Sequence, residues 1–182
     1  MINKIFGNME LQEAISMISG KDLAPLPAGK WADLGCGSGL FTFALAHLLP
    51  AGSTIYALDK SNIILQEQPN PHQVTILPRQ IDFVKADIRL SELNGILMAN
   101  SLHYVADKPT LIHTLQHSMK KDSAFLIVEY DTAIPNPWVP YPVKFEALKR
   151  LFTTLGYSKI VKLGERTSLY RSGQLYAAWI ER

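Results

Sequence analysis

The sequence predicts an α/β protein, a doubly wound, mostly parallel sheet with an antiparallel edge, and three observations carry that expectation. Strand-like and helix-like stretches alternate from Trp31 to Leu155, as successive βαβ units require. Two of the strand-like runs, Gly95–Ala99 (GILMA) and Ala124–Val128 (AFLIV), are uninterrupted apolar segments of the kind buried on both faces of a parallel sheet. The chain then ends on strand signals: Lys159–Leu163 alternates, and Ser168–Tyr170 with Leu175–Ile180 around Arg171-Ser172-Gly173-Gln174 reads as a closing antiparallel hairpin. With 182 residues, 47% of them hydrophobic, the chain has material for one well-buried core, so a single domain over 1–182 is expected.

In order, Asn8–Ile18 places Met9, Leu11, Ala14, Ile15 and Ile18 at helical spacing before Gly20, a short N-terminal helix that caps either the sheet or the mouth of a site. Lys21–Lys30, with Pro25, Pro27 and Gly29, is a connector. Lys30–Leu45 (KWADLGCGSGLFTFAL) reads as strand, tight turn, helix, with Gly35, Gly37 and Gly39 in the turn and Ser38 as a candidate N-cap. Glycine lets such a turn take positive φ and lie flat against a ligand, and the first amides of the following helix lack intrahelical acceptors. A dinucleotide fingerprint would need a third glycine at position 40, where Leu40 stands, and no phosphate-binding loop with Gly-Lys-Ser/Thr is present. A ligand-free glycine turn is the bland alternative.

Ser53–Asp59 is a buried-strand run ending in a carboxylate about 20 residues beyond the glycines, where a ribose-binding acid belongs. Asp59 is equally suited to cap a short helix over Ser61–Gln68. Pro69, Pro71 and Pro78 predict an irregular loop, followed by a brief strand, Ile81–Ala86, and then Asp87-Ile88. A carboxylate there can accept from an adenine amino group while the neighbouring amide donates to the ring, or it can simply face water. Asn100-Ser101-Leu102-His103-Tyr104 closes the carboxyl end of the Gly95–Ala99 strand, the edge where open α/β sheets hold ligands.

Asp107–Lys121 reads as a helix with Leu111, Ile112, Leu115 and Met119 inward and Lys120-Lys121 at its end. His113 and His117 lie on it without a further ligand, as surface residues, and no metal site is expected. Glu129-Tyr130-Asp131 follows the next strand. Residues 131–142 then form a proline-rich segment in which Trp138 and Tyr141 either wall a substrate pocket or pack on the core. Val143–Leu155 is helical and closes at Gly156.

Composition narrows the function classes. The formal net charge is +2, and the late basic residues are interleaved with Glu146 and Glu165, so nucleic acid is disfavoured. The one cysteine, Cys36, excludes a disulfide framework and fits a reducing cytoplasm. No signal-peptide core precedes the helix, and the most apolar run, Leu40–Leu49, is too short to span a bilayer, so a soluble protein is expected.

The motif D-x-G-x-G-x-G, Asp33 through Gly39, resembles motif I of class I S-adenosylmethionine (SAM)-dependent methyltransferases, and the resemblance extends over nearly the whole chain. It implies a seven-stranded sheet of order 3-2-1-4-5-7-6 and S-adenosyl-L-methionine as cofactor. The cofactor residues it implies are Asp33, Gly35, Cys36, Gly37 and Gly39 in the turn, Asp59 and Lys60 on the ribose side, Asp87 and Ile88 on the adenine side, and Asn100. Asn94–His103 matches the strand-four motif, with Asn94 where aspartate is usual. Neither the (D/N)-P-P-(Y/F) sequence of amino-directed nucleic-acid enzymes nor a catalytic cysteine is present, which leaves a small-molecule acceptor. Candidate catalytic residues are His103, Tyr104 and Tyr130, with Glu129 and Asp131 nearby, His103 having as its alternative a half-buried histidine that supports the turn, and Trp138 and Tyr141 are the candidate substrate contacts. Two rivals remain at this point: a nicotinamide-dependent oxidoreductase, and a non-catalytic SAM-binding module.

Overall fold

A computed structural model describes residues 9–20, 23–167 and 174–182. Seven strands form one sheet: β1 (Lys30–Leu34), β2 (Thr54–Asp59), β3 (Thr75–Gln80), β4 (Leu93–Ala99), β5 (Met119–Tyr130), β6 (Lys159–Thr167) and β7 (Gln174–Glu181). Their order is β3-β2-β1-β4-β5-β7-β6. The first five are parallel, and β7 runs antiparallel between β5 and β6. This is the expected doubly wound sheet with an antiparallel edge. Ser168–Tyr170 and Arg171–Gly173, the middle of the anticipated hairpin, lie outside the described residues.

The uninterrupted apolar strands divide their side chains between two cores, one on each sheet face. On β5, Phe125 and Ile127 join a core with Leu111, Ile112 and Leu115 of α3 (Lys108–Gln116) and Leu148 and Phe152 of α4 (Phe145–Thr154). Ala124, Leu126 and Val128 face the other way, toward α1 (Leu11–Ile18) and α2 (Leu40–Leu48). Gly95 shows how tightly the middle is packed. It pairs with Trp31 of β1, and a Cβ at Gly95 would lie 2.3 Å from the Trp31 ring. The helix α1 caps the sheet: Ala14, Met17 and Ile18 are buried in the second core, and Glu13 pairs with Arg166 of β6 at 3.0 Å.

Several local expectations are corrected. Ser38 does not cap α2; Gly39 does, in the left-handed region at φ 91° and without a side-chain bond. No helix covers Ser61–Gln68, because that segment is committed to the glycine turn: the Gln66 amide donates to Ser38 O, and Leu65 packs beside Gly39. The third strand is Thr75–Gln80, not Ile81–Ala86. It contains Pro78 because it is an edge strand paired only to β2, so an amide is dispensable there. α3 stops at Gln116, and Lys120-Lys121 begin β5 instead of ending the helix. At its start α3 matches expectation, with Asp107 accepting from Thr110 N at 3.1 Å.

Candidate functional site

The carboxyl ends of β1, β2, β4 and β5 meet at one edge, and the glycine turn is built into it from behind. Gly35, Gly37 and Gly39 all have positive φ, 82°, 53° and 91°. Their surroundings differ. A Cβ at Gly35 would lie 2.6 Å from Ser101 Cβ, and one at Gly39 would lie 2.8 Å from the Leu65 side chain. A Cβ at Gly37 would meet nothing within 4 Å. Two glycines are therefore required by protein packing, and the third leaves open backbone facing outward.

Four of the turn's amides are spent internally. Those of Gly35 and Cys36 both donate to Leu58 O, at 2.7 and 3.0 Å, that of Gly39 donates to Cys36 O, and that of Gly37 donates to Asp59 Oδ2 at 3.0 Å. These four amides of the turn are therefore engaged within the protein, and the helix they lead into begins at Leu40. Asp59 accepts a second amide, Ser61 N, on Oδ1 at 2.9 Å. Each carboxylate oxygen has two acceptor sites, so both retain capacity for a pair of hydroxyls.

Asp33 is buried beneath the turn. Its Oδ2 accepts from Thr42 Oγ1 at 2.6 Å while Oδ1 is buried without a hydrogen-bond partner. Burial pushes its carboxyl up to about 7, against the Thr42 hydrogen bond and helped by the Asp59 charge. Burial, with Asp33 and Asp59 nearby, pushes the Cys36 thiol up to about 12, so it remains a protonated filler and not a nucleophile. Asn100 closes β4 at φ 54°, its amide donating to Val128 O and its Oδ1 buried without a partner. Such an acceptor costs free energy unless something fills it.

His103 and Glu129 form the other half of the edge. Both are buried, and the Glu129 carboxylate accepts twice from His103: its backbone amide donates to Oε1 at 3.0 Å and Nδ1 contacts Oε2 at 2.7 Å. A carboxylate acceptor places the ring proton on Nδ1 and, in the neutral ring, leaves the lone pair on Nε2. The Tyr104 ring packs at a tilt 4.3 Å from His103, with Lys60 Nζ 5.9 Å from the Tyr104 ring, and Tyr130 lies 6.1 Å from His103 on the other strand. Tyr141 N donates to His103 O at 3.0 Å, so the proline-rich segment is fastened to the same histidine. Trp138 is 78% exposed, which excludes the core-packing alternative for it.

Asp87 is exposed in an irregular loop beyond β3, accepting from Arg89 N at 2.9 Å, and not at the end of a strand. Ile88 beside it is buried in the core, anchoring that loop. Asn94 lies at the opposite, amino edge, where its Oδ1 accepts from Lys30 N at 3.1 Å. The absence of aspartate there removes nothing from the site. His113 and His117 contact only each other's rings and local backbone, and no cluster of three or more metal-ligating side chains exists among the described residues.

Three supporting residues were not assigned from sequence. Thr42 holds Asp33; Ser101 Oγ donates to Leu34 O at 2.6 Å and sets the spacing behind Gly35; Lys108 Nζ donates to Val105 O and Tyr141 O, both at 2.8 Å. Burial lowers the Lys108 ammonium while the Glu129 charge opposes this. Ser101 falls in the polar cluster after β4, which is the one signal that could have found it. Nothing local to Lys108 announces a clamp between α3 and a loop 33 residues away.

Comparison with known proteins agrees with this geometry. Solved structures that superpose include a SAM-dependent methyltransferase from Aquifex aeolicus (TM-score 0.61, 13% identity, 87% of this chain and 85% of that one). The YcgJ protein from Bacillus subtilis also superposes (TM-score 0.63, 8% identity, 94% and 97%). So does the 1,6-didemethyltoxoflavin-N1-methyltransferase of Burkholderia thailandensis with bound S-adenosylhomocysteine (TM-score 0.61, 14% identity, 85% and 72%). At these identities they establish the fold. No curated protein sequence matches the chain. The sequence profile of the family described as "Methyltransferase domain" matches residues 8–181, nearly the whole chain, and the protein therefore belongs to the methyltransferase-domain family.

Proposed function

We propose that this methyltransferase uses S-adenosyl-L-methionine to methylate a small-molecule acceptor at the carboxyl edge of its sheet. The observation that carries the reading is Gly37: of the turn's three positive-φ glycines it alone is open, and its amide is tied to the carboxylate expected to hold a ribose. When bound, S-adenosyl-L-methionine supplies a methyl group already activated on a sulfonium. What is left for the protein is alignment, exclusion of water and, where the acceptor carries a proton, a base.

Asp59 would hold the two ribose hydroxyls with the acceptor capacity left on its oxygens, beside Lys60. Asp87 and the Ile88 amide would take the adenine, and the turn from Asp33 to Gly39 the remainder, with Asn100 Oδ1 as a buried acceptor in need of a donor. His103 Nε2 would accept the proton of the acceptor's nucleophile, with Glu129 fixing the ring and stabilising the imidazolium that results. Tyr104 and Tyr130 flank that ring, while Trp138 and Tyr141 supply a wall on the acceptor side. The oxidoreductase alternative loses support because Leu40 stands where the dinucleotide fingerprint needs a third glycine. A buried base-and-orienter pair favours an enzyme over a non-catalytic module.

A near-neutral charge and a single protonated cysteine suit the cytoplasm, and among the described residues no helix is long and apolar enough to cross a membrane. A thermal-shift panel of SAM, S-adenosylhomocysteine, NAD and ATP tests the assignment. The first two at about 100 times their dissociation constants should stabilise the protein by about 2.7 kcal/mol. Stabilisation by NAD alone would reject it.

A further inference from the structure

Among the described residues eight large hydrophobic side chains are exposed, and their distribution is uneven. Leu77 and Val161 lie on edge strands. The other six, Ile64, Val84, Tyr104, Ile134, Trp138 and Tyr141, occupy the loops leaving the carboxyl ends of β2, β3, β4 and β5. Each loop is tied to the site. The Ile64 loop donates from Gln66 N to Ser38 O; Phe83, next to Val84, lies 3.8 Å from the position of a Gly35 Cβ; Tyr104 packs on His103; Tyr141 N bonds His103 O. Exposed apolar side chains gathered from four separate loops onto one rim of the sheet cost solubility, and their concentration there points to a binding face.

The charge on those loops says what kind of molecule belongs there. Residues 60–74, 81–92, 100–107 and 131–144 carry four basic and six acidic side chains, and Lys108, which bonds Tyr141 O, and Lys162, which pairs with Asp131, bring the edge into balance. A balanced edge offers no long-range attraction to an anionic acceptor, a nucleic acid or an anionic lipid surface. Resting on the methyltransferase reading of the site, we propose that the acceptor is an uncharged amphiphile, with one polar group presented to His103 and an extended hydrophobic body lying across the Tyr104, Tyr141, Trp138 and Ile134 side of the rim. Stiff aromatics braced by Pro135, Pro137, Pro140 and Pro142 bury such a body at little entropic cost.

The test is calorimetric titration of 4-alkylphenols, from ethyl to octyl, into the full chain saturated with S-adenosylhomocysteine. Affinity should rise about three- to fourfold per added methylene until the rim is filled. Ile134→Ser and Trp138→Ser, at positions 76% and 78% exposed, should fold normally and flatten that dependence. If S-adenosylhomocysteine binds and the phenol series shows no dependence on chain length, the acceptor class is wrong while the cofactor assignment stands. Failure of S-adenosylhomocysteine to bind removes the reading on which this inference rests. Two further arms also overturn it: sedimentation with neutral phosphatidylcholine vesicles that requires Trp138 would make the rim a membrane contact, and self-association abolished by Ile134→Ser would make it a dimer face.

Discussion

Replacing Asp33 by Asn should change how stability depends on pH, and the structure fixes both sign and size. The Asp33 carboxyl is fully buried, with Oδ1 unpartnered, and its pKa rises from 3.8 to about 7 mainly through desolvation. The folded state therefore holds a proton that the unfolded chain has already released between pH 4 and 7, so folding stability falls as pH rises through that window. Below pH 4 both states are protonated and the group makes no pH-dependent contribution; above pH 7 the full penalty of a buried carboxylate is present. At about 1.36 kcal/mol per unit, the span is roughly 4 kcal/mol as an upper bound. Asparagine keeps an acceptor for Thr42 Oγ1 and cannot ionise. Urea denaturation of both proteins from pH 4 to 8.5 should give a difference curve that climbs in favour of Asp33→Asn and levels above pH 7, on top of a constant offset. A difference that stays flat across the window would mean that Asp33 titrates like an exposed carboxyl and that the turn is not packed over it as described.

Other outcomes follow from the same geometry. Gly37→Val should leave the sheet folded, since a Cβ there meets no protein atom, while strain at φ 53° and the added branches weaken SAM binding; a folded variant of unchanged affinity would refute close backbone approach. Glu129→Ala strands the amide and Nδ1–H of His103 in a buried site and should cost about 1–3 kcal/mol for each, read from the urea midpoint; a loss below about 1 kcal/mol in total would contradict the paired geometry. Trp138→Ala should change stability by less than about 0.5 kcal/mol because the ring is exposed, and SAM affinity should hold while transfer to the acceptor drops. A large loss of stability would return Trp138 to the core.

What sequence made legible was whatever depends on short-range pattern. Uninterrupted apolar runs disclosed the central strands β4 and β5, and the spacing of glycines and terminal aspartates disclosed the edge that carries the candidate site. The errors lie where tertiary contacts override local preference. Ser61–Gln68 carries helix formers, yet its Leu65 and Gln66 are used to cover the glycine turn. Pro78 argued against a strand, but an edge position tolerates it. Lys120-Lys121 suited a helix terminus by charge and instead extend β5, where Met119 pairs with Leu93. Within the site, aspartates could be picked out by position, whereas the partnership of His103 with Glu129, 26 residues apart, exists only because β4 and β5 are neighbours. The internal use of the Gly35, Cys36 and Gly37 amides was likewise invisible, since their acceptors are Leu58 and Asp59 at the carboxyl end of β2.

The central claim is that S-adenosyl-L-methionine binds against Gly37 with its ribose on Asp59, and calorimetric titration of S-adenosylhomocysteine into wild type and Asp59→Ala tests it most directly. Removing an acceptor of charged hydrogen bonds, which also positions the Gly37 amide, should weaken binding about 10-fold or more while a parallel NAD titration shows no heat of binding. Equal affinity of S-adenosylhomocysteine for the two proteins, or binding of NAD in its place, would contradict the account.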